Sequence, residues 1–349
     1  MATISTQDAR NVYTKALAAV YKERTVPTSF LRSLFPTVEK GTKEISIEVQ
    51  RGFEKIAVDV TRGTDGNRNV FGRSTEKIFV PPLYDEYMDA TQLDVYDKLF
   101  GDGEISINRL TPFIETVAEK VGMLQDKIER AYELQCSQVL ETGVVQLNKG
   151  TNIDFKRKGA SIVDLGAGNY WTTGTNDPFA TLKSGAEFNR TKGKATGGTM
   201  NVIMGDAALS AFLSNDIVEA RADVRNYKLD DITSPLRNGL GGAYHGTVSA
   251  GSWRFNLWTY PEYYTNAAGV ETAYMNTKNI VIMPEAPKFN LVFAAVPQLI
   301  SGVGASTAGA YKFYDYMDER KATHDFGVKS AGVAIPVAVD QIYTAQVVA

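Results

Sequence analysis

Along this chain the apolar positions change period several times, and each change marks an element. "STQDARNVYTKALAAVYKERTVP" from Ser5 puts Val12, Leu17, Val20 and Tyr21 on one broad face, which predicts a short helix that Pro27 ends. "KEISIEVQRG" and "EKIAVDVTRG" then alternate apolar with polar residues at Ile45, Ile47, Val49 and at Ile56, Val58, Val60, the period of strands with one buried face. "TEKIFVPP" brings the chain back in extended form, and Pro81 and Pro82 end any ladder. Residues 43–82 therefore predict a long two-stranded excursion whose polar tip carries Gly63, Gly66 and Gly72. An isolated hairpin is marginal in water, so the pattern predicts support from outside its own domain.

Residues 112–142 predict one long helix, with Thr111 as N-cap, Pro112 at the first helical position and Gly143 just past the end. Ile114, Val117, Val121, Leu124, Ile128 and Ala131 step by three and four, so an apolar seam runs along one side. The seam fades near Gln135 and Gln138, before the sustained heptads of a coiled coil, and the expectation is a helix lying on a sheet. "GVVQLNKGTNIDFKRKG" predicts a hairpin turning near Asn148, Lys149 and Gly150. "TMNVIMGDAALSAFLSNDIVEARADVRN" predicts a strand, an Asp206 N-cap and a helical stretch. "GSWRFNLWTYPEYYTNAAGVETAYMNTKNIVIMP" and "ATHDFGVKSAGVAIPVAVDQIYTAQVV" add strands, and the fold class is α+β.

A chain of 349 residues with 44% hydrophobic and 22% charged residues has ordinary globular composition and can bury a core. The formal net charge of −3 gives no electrostatic case for a dedicated nucleic-acid binder. Cys136 is the single cysteine, "MATISTQDARNVYTKAL" lacks the basic, apolar, small-residue order of a secretory signal, and no apolar run reaches membrane-spanning length. The expectation is a soluble intracellular product. From Met1 to Lys40 six basic residues face three acidic ones, an excess that a solvated helix face explains.

Motif chemistry is sparse. His245 and His324 do not stand in a zinc-binding spacing, and the His324–Asp325 pair reads as part of a surface strand, since no Gly-x-Ser-x-Gly elbow supplies a nucleophile. "DLGAGNYW" has Gly166 and Gly168 but neither the third glycine nor the helix of a dinucleotide site, and reads as a loop. Cys136 reads as a buried, inert thiol. Trp253, Trp258, Tyr260, Tyr263 and Tyr264 could stack bases, but their strand setting points to packing. No catalytic, metal or cofactor residues are assigned, and the chain is not expected to be an enzyme.

In order along the chain, "TSFLRSLFP", the loop ending in "IFVPP", the helix ending in "LETGVVQLNKGTNIDF", "VIMGDAALSAFLSNDIVEARAD", "GGAYHGTVSAGSWRFNLWTYPEYYTNAAGVE" and "SAGVAIPVAVDQIYTAQV" resemble the lambda-type major capsid proteins of tailed phages. The resemblance implies the Hong Kong 97-type capsid fold. It implies an N-terminal arm at 1–42, an extended loop at 43–82, a peripheral domain at 83–177 and 311–349 with a spine helix, and an axial domain at 178–310. It further implies self-assembly through hexamers and pentamers into an icosahedral head shell around double-stranded DNA, touched non-specifically. Portal, scaffolding and decoration proteins would be partners, the virion the location and the host cytoplasm the place of assembly. An encapsulin-like compartment shell is the near alternative, and an oligomeric enzyme with a lid at 61–82 the distant one.

The excursion then acquires a use as a clasp between subunits. Arg62, Arg68 and Arg73 stand against one acid, Asp65, whereas from Asp85 to Glu104 there are seven acids, among them Glu86, Asp89, Asp94 and Asp97, against Lys98 alone. The expectation is that the arginines, with Val70 and Phe71, meet the acidic segment of a neighbouring copy. Some relatives weld their shells by a lysine–asparagine isopeptide bond. Arginine is no amine nucleophile, and Lys55 and Lys77 lie back along the strands, so cross-linking is not expected here.

Overall fold

A computed structural model describes residues 29–49, 75–91, 107–173, 175–224, 236–237, 239–300, 303–318 and 323–349. The predicted helix at 5–27 and the strand-like segment at 51–60 lie outside them.

One helix, Ile107–Glu141, organises the fold. It begins earlier than Thr111 and Pro112 suggest, so Pro112 lies inside the helix. Its missing N–H costs one ladder bond near the start, which a helix this long tolerates. The end is where Gly143 predicts it, with Gly143 at φ +71° and its N–H on the carbonyls of Gln138 and Val139. Val121 and Ile128 are buried as the seam requires. Beyond them the sequence expectation fails. Tyr132, Glu133, Gln135, Cys136, Ser137, Val139 and Leu140 are all buried, so the last turns are covered on nearly every side rather than lying on a single sheet. Their polar side chains are satisfied by protein partners, which lets a polar-looking sequence sit in a core.

A seven-stranded mixed sheet has the order Ile162–Asp164, Tyr343–Gln346, Asn279–Pro284, Thr199–Met204, Trp253–Thr259, Ala243–Ala250, Leu236–Arg237. Met200, Val202 and Met204 pack with Ile280, Ile282, Phe255 and Leu257 under the helices Pro178–Thr191 and Asp206–Leu213. Ile203, Val281 and Met283 alternate to the other face and join the core around the long helix. Both faces being covered explains why "NIVIMP" is buried from its second residue onward. Gly205, not Asp206, occupies the N-cap position of its helix, and the predicted single helical stretch breaks at Asn215 into Asp206–Leu213 and Asp216–Val224. Asn215 causes the break: its Oδ1 accepts from the Ile217 N–H while its Nδ2 donates to the Trp171 and Asn176 carbonyls.

Two three-stranded sheets flank the long helix. Phe289–Phe293 lies between Thr37–Glu39, parallel to it, and Gly332–Pro336, antiparallel. Thr323–Ser330 lies between Lys312–Asp318 and Tyr84–Thr91, antiparallel to both. Two ribbons, Ile45–Val49 with Thr75–Phe79 and Val296–Ile300 with Val303–Thr307, pair with no third strand among the described residues.

Arg157 ties three parts of this frame together. Its guanidinium donates to the Leu140 carbonyl at 2.8 Å, to Glu141 O, Ser161 O and Ile342 O, and to Thr344 Oγ1. Burial pulls its pKa down to about 10, so it stays charged at neutral pH.

Candidate assembly surfaces

A protein that works by association must fix its projecting segments to a rigid body. The segment from Ser29 to Glu39 is fixed by the long helix. Glu133 presents both carboxylate oxygens to it, Oε1 accepting from the Leu31 N–H at 3.0 Å and Oε2 from the Arg32 N–H at 2.8 Å. One helical turn earlier, Glu129 pairs with Arg32 Nε at 3.0 Å and accepts from the Tyr311 hydroxyl. Burial raises the pKa of both carboxyls, with Arg32 opposing the rise. Phe30 tilts against Trp258 and Tyr260, and a Cβ at Gly242 would come within 3.0 Å of its ring. Phe35 stacks on Phe289 at 4.7 Å. The aromatic residues that might have stacked bases thus include two, Trp258 and Tyr260, that pack on the chain's own N-terminal segment.

Because both oxygens of Glu133 accept, Glu133→Gln must turn an amide donor toward an N–H. We expect a loss of about 1–3 kcal/mol, the cost of leaving a buried group without its partner. Limited proteolysis reads the effect. In unassembled subunits the variant should be cut between Ser29 and Pro36 and the parent should be protected there; equal patterns would refute this role for Glu133.

The outer face of the sheet containing Tyr84–Thr91 is a second surface. Directly paired residues share a face, so Tyr314, Gly327 and Tyr87 form one row and Tyr316, Asp325 and Asp89 the next. Tyr314 lies across Gly327, where a Cβ would come within 3.0 Å of its ring, and its hydroxyl donates to Asp85 at 2.8 Å. Lys329 Nζ sits 3.1 Å from the same carboxylate and 4.7 Å from the Tyr314 ring centroid. Tyr87 and Tyr316 stand exposed at 59% and 61%. On the opposite face Glu86 pairs with Lys127 at 2.6 Å.

Of the residues assigned to the clasp, Asp85, Glu86 and Asp89 are placed on this strand. Asp85 and Glu86 have lysine partners in their own chain, which the acidic run in the sequence did not reveal. Arg62, Arg68, Val70, Phe71, Arg73, Asp94 and Asp97 lie outside the described residues. Glu129, Glu133 and Arg32 were missed by sequence reasoning because, at helical spacing, glutamates look like a solvated face.

Cys136 is fully buried, and burial pushes its thiol pKa well up. His245 Nε2 lies 2.7 Å from Thr259 Oγ1 on an adjacent strand. Gly166 and Gly168 have φ of +77° and +95° in a loop. Among the described residues no cluster of three His, Cys, Asp or Glu could hold a metal ion, and no helix is long and apolar enough to cross a membrane.

The whole arrangement is similar to solved phage structures. A putative capsid protein of a prophage of E. coli CFT073 superposes with a TM-score of 0.66 at 14% identity, covering 96% of this chain and 99% of that one. A phage-related protein from Bordetella bronchiseptica RB50 superposes with a TM-score of 0.53 at 11% identity, covering 95% and 96%. A search of curated protein sequences finds no match. The fold is the Hong Kong 97 type, as the sequence resemblance implies. Residues 13–347 match the description "Phage major capsid protein E", and the chain belongs to that family, a major capsid protein that assembles with itself into a shell.

Proposed function

We propose that hexamers and pentamers of this chain close into an icosahedral head enclosing phage double-stranded DNA, with geometry rather than catalysis as the mechanism. The observation that carries the reading is the family match over residues 13–347. Its division of labour follows the expected one: an arm at 1–42, an extended loop at 43–82, a peripheral unit at 83–177 and 311–349, and an axial unit at 178–310. Assembly takes place in the host cytoplasm on a portal and a scaffold, and decoration proteins bind outside. With a net charge of −3 the chain has no overall attraction for DNA, so its contact with the packaged DNA is weak and non-specific. Purified particles treated with nuclease should retain protected double-stranded DNA. A cargo enzyme inside nuclease-sensitive or empty particles would favour a compartment shell instead.

The shell is strengthened by the clasp between Arg62, Arg68, Arg73, Val70 and Phe71 of one copy and the acidic strand of the next. Lys329 and Lys127 hold Asp85 and Glu86 in place, and Asp89, Asp94 and Asp97 extend the acidic segment along the sequence. Each exposed pair contributes about 0–1 kcal/mol, and repetition at every subunit multiplies the bias. Arg68→Glu with Arg73→Glu should leave the subunit folded and make assembly salt-sensitive. Asp94→Lys with Asp97→Lys should partly restore it. Parental assembly by the double variant at low and high salt would discard the clasp.

A further inference from the structure

We propose that the short turn Val339–Gln341 gathers a basic surface that meets the phosphodiester backbone of the packaged duplex. The proposal rests on the reading that the shell encloses DNA, and adds where on the subunit that DNA is touched. Two acid-free runs supply the charge: Lys156, Arg157 and Lys158 between Phe155 and Val163, and Arg190, Lys192 and Lys194 between Phe188 and Gly205. They are distant in sequence and meet at one place. Lys158 Nζ lies 2.8 Å from the Asp340 carboxylate, the Gln341 side-chain amide donates to the Gly193 carbonyl at 3.0 Å, and a Cβ at Gly193 would come within 3.0 Å of the Asp340 carbonyl oxygen. Lys156 pairs with Asp154, and Glu187, one turn before Arg190, pairs with Lys183. The cations still outnumber these acids, in a chain whose net charge is −3. Lys156, Arg190 and Lys192 are exposed.

Local structure accounts for only part of this surface. Arg190 and Lys192 close the helix Pro178–Thr191, where cations suit the negative end of the helix dipole. Lys156 and Lys194 have no such reason. Their φ values are 55° and 56°, and among the described residues they are the only ones besides glycines with positive φ. That backbone favours glycine and asparagine, so a lysine there carries a cost that points to a use for its side chain. Four of the six cations are lysines, the residue in which protein–protein interfaces are depleted. Long cationic stems that follow a line of phosphates need no fitted pocket, and the observations favour DNA over another subunit as the occupant.

Lys156→Asn and Lys194→Asn, combined with Arg190→Gln and Lys192→Gln, tests the site. The asparagines suit the two left-handed positions, so thermal melting of unassembled subunits should show no loss of stability. Binding of a short mixed-sequence duplex to those subunits is then followed against salt. Each phosphate contact contributes about 0.9 to the slope of log affinity on log salt, so the variant's slope should be shallower than the parent's by roughly 3–4. Equal slopes, or no binding by the parent at low salt, would overturn the site. If the variant fails to fold, amine acetylation of parental particles decides. Lys156, Lys192 and Lys194 should label more slowly in DNA-filled particles than in DNA-free ones. Equal labelling in the two would overturn the site alone, whereas particles that never contain DNA would overturn the reading beneath it and the site with it.

Discussion

Replacing Gly205 with alanine is expected to cost the subunit about 3 kcal/mol, a large fraction of the roughly 5–15 kcal/mol that holds a native domain folded. The residue sits where the central strand Thr199–Met204 turns into the helix Asp206–Leu213. A Cβ there would come closer than 3.0 Å to the Asn276 carbonyl oxygen and to the Thr277 carbonyl group. These are backbone atoms and cannot swing aside as a side chain does. They are also fixed from both directions: the Gly205 N–H donates to the Asn279 carbonyl at 2.9 Å and the Ala208 N–H to the Thr277 carbonyl at 3.0 Å. Relieving the clash means breaking the bonds that join helix to sheet. Its φ of −69° is ordinary, so the loss comes from space and not from backbone strain. Gly159→Ala is the control, with nothing within 4 Å of the added carbon, and should stay within about 0.5 kcal/mol of the parent. Urea midpoints of unassembled subunits compare the two, and equal midpoints would refute the packing argument.

Arg157→Met should cost about 3 kcal/mol while keeping much of the side chain's apolar stem. The loss arises because the guanidinium is what satisfies the last carbonyls of the long helix, Leu140 and Glu141, and at the same time the Ile342 carbonyl before the C-terminal strand. Removing it leaves acceptors without donors in a place that water reaches poorly. Gly143 makes room for it, since a Cβ there would come within 3.0 Å of the Arg157 side chain. Arg157→Lys should recover only part of the loss, because one ammonium cannot span acceptors that the planar fork reaches together. Hydrogen exchange locates the damage. Faster exchange should concentrate at Tyr343–Gln346 and the last helical turn, and uniform protection across the chain would show that Arg157 is dispensable.

Much of this frame is legible from period and punctuation. The helix stop at Gly143, the strand before Gly205, the hairpin around Gly150 and the alternating "ISIEV" all appear where residue pattern places them. What escapes the pattern is polar and buried. Glu129, Glu133, Gln135 and Ser137 occupy helical positions that water would ordinarily take, and only their distant partners, Arg32, Leu31, Ala334 and Tyr274, reveal that they face inward. Those partners lie far away in sequence, so no local signal announces them. The same holds for Asp85, whose lysine is contributed by Lys329 across the sheet. Thr111 and Pro112 gave a plausible helix start that tertiary context overrode by extending the helix to Ile107. The segment from Ser29 shows the reverse case. "TSFLRSLFP" looks like part of a loose arm, yet Phe30, Leu31 and Phe35 are core residues of the chain's own body.

The central claim is that this chain builds a shell, and electron microscopy of the purified full-length protein tests it most directly. The account predicts closed, round, hollow particles composed of many copies of this one chain, with the helix Ile107–Glu141 resolved in each subunit of a reconstruction. Monodisperse dimers or small rings at every concentration and salt tested would contradict it.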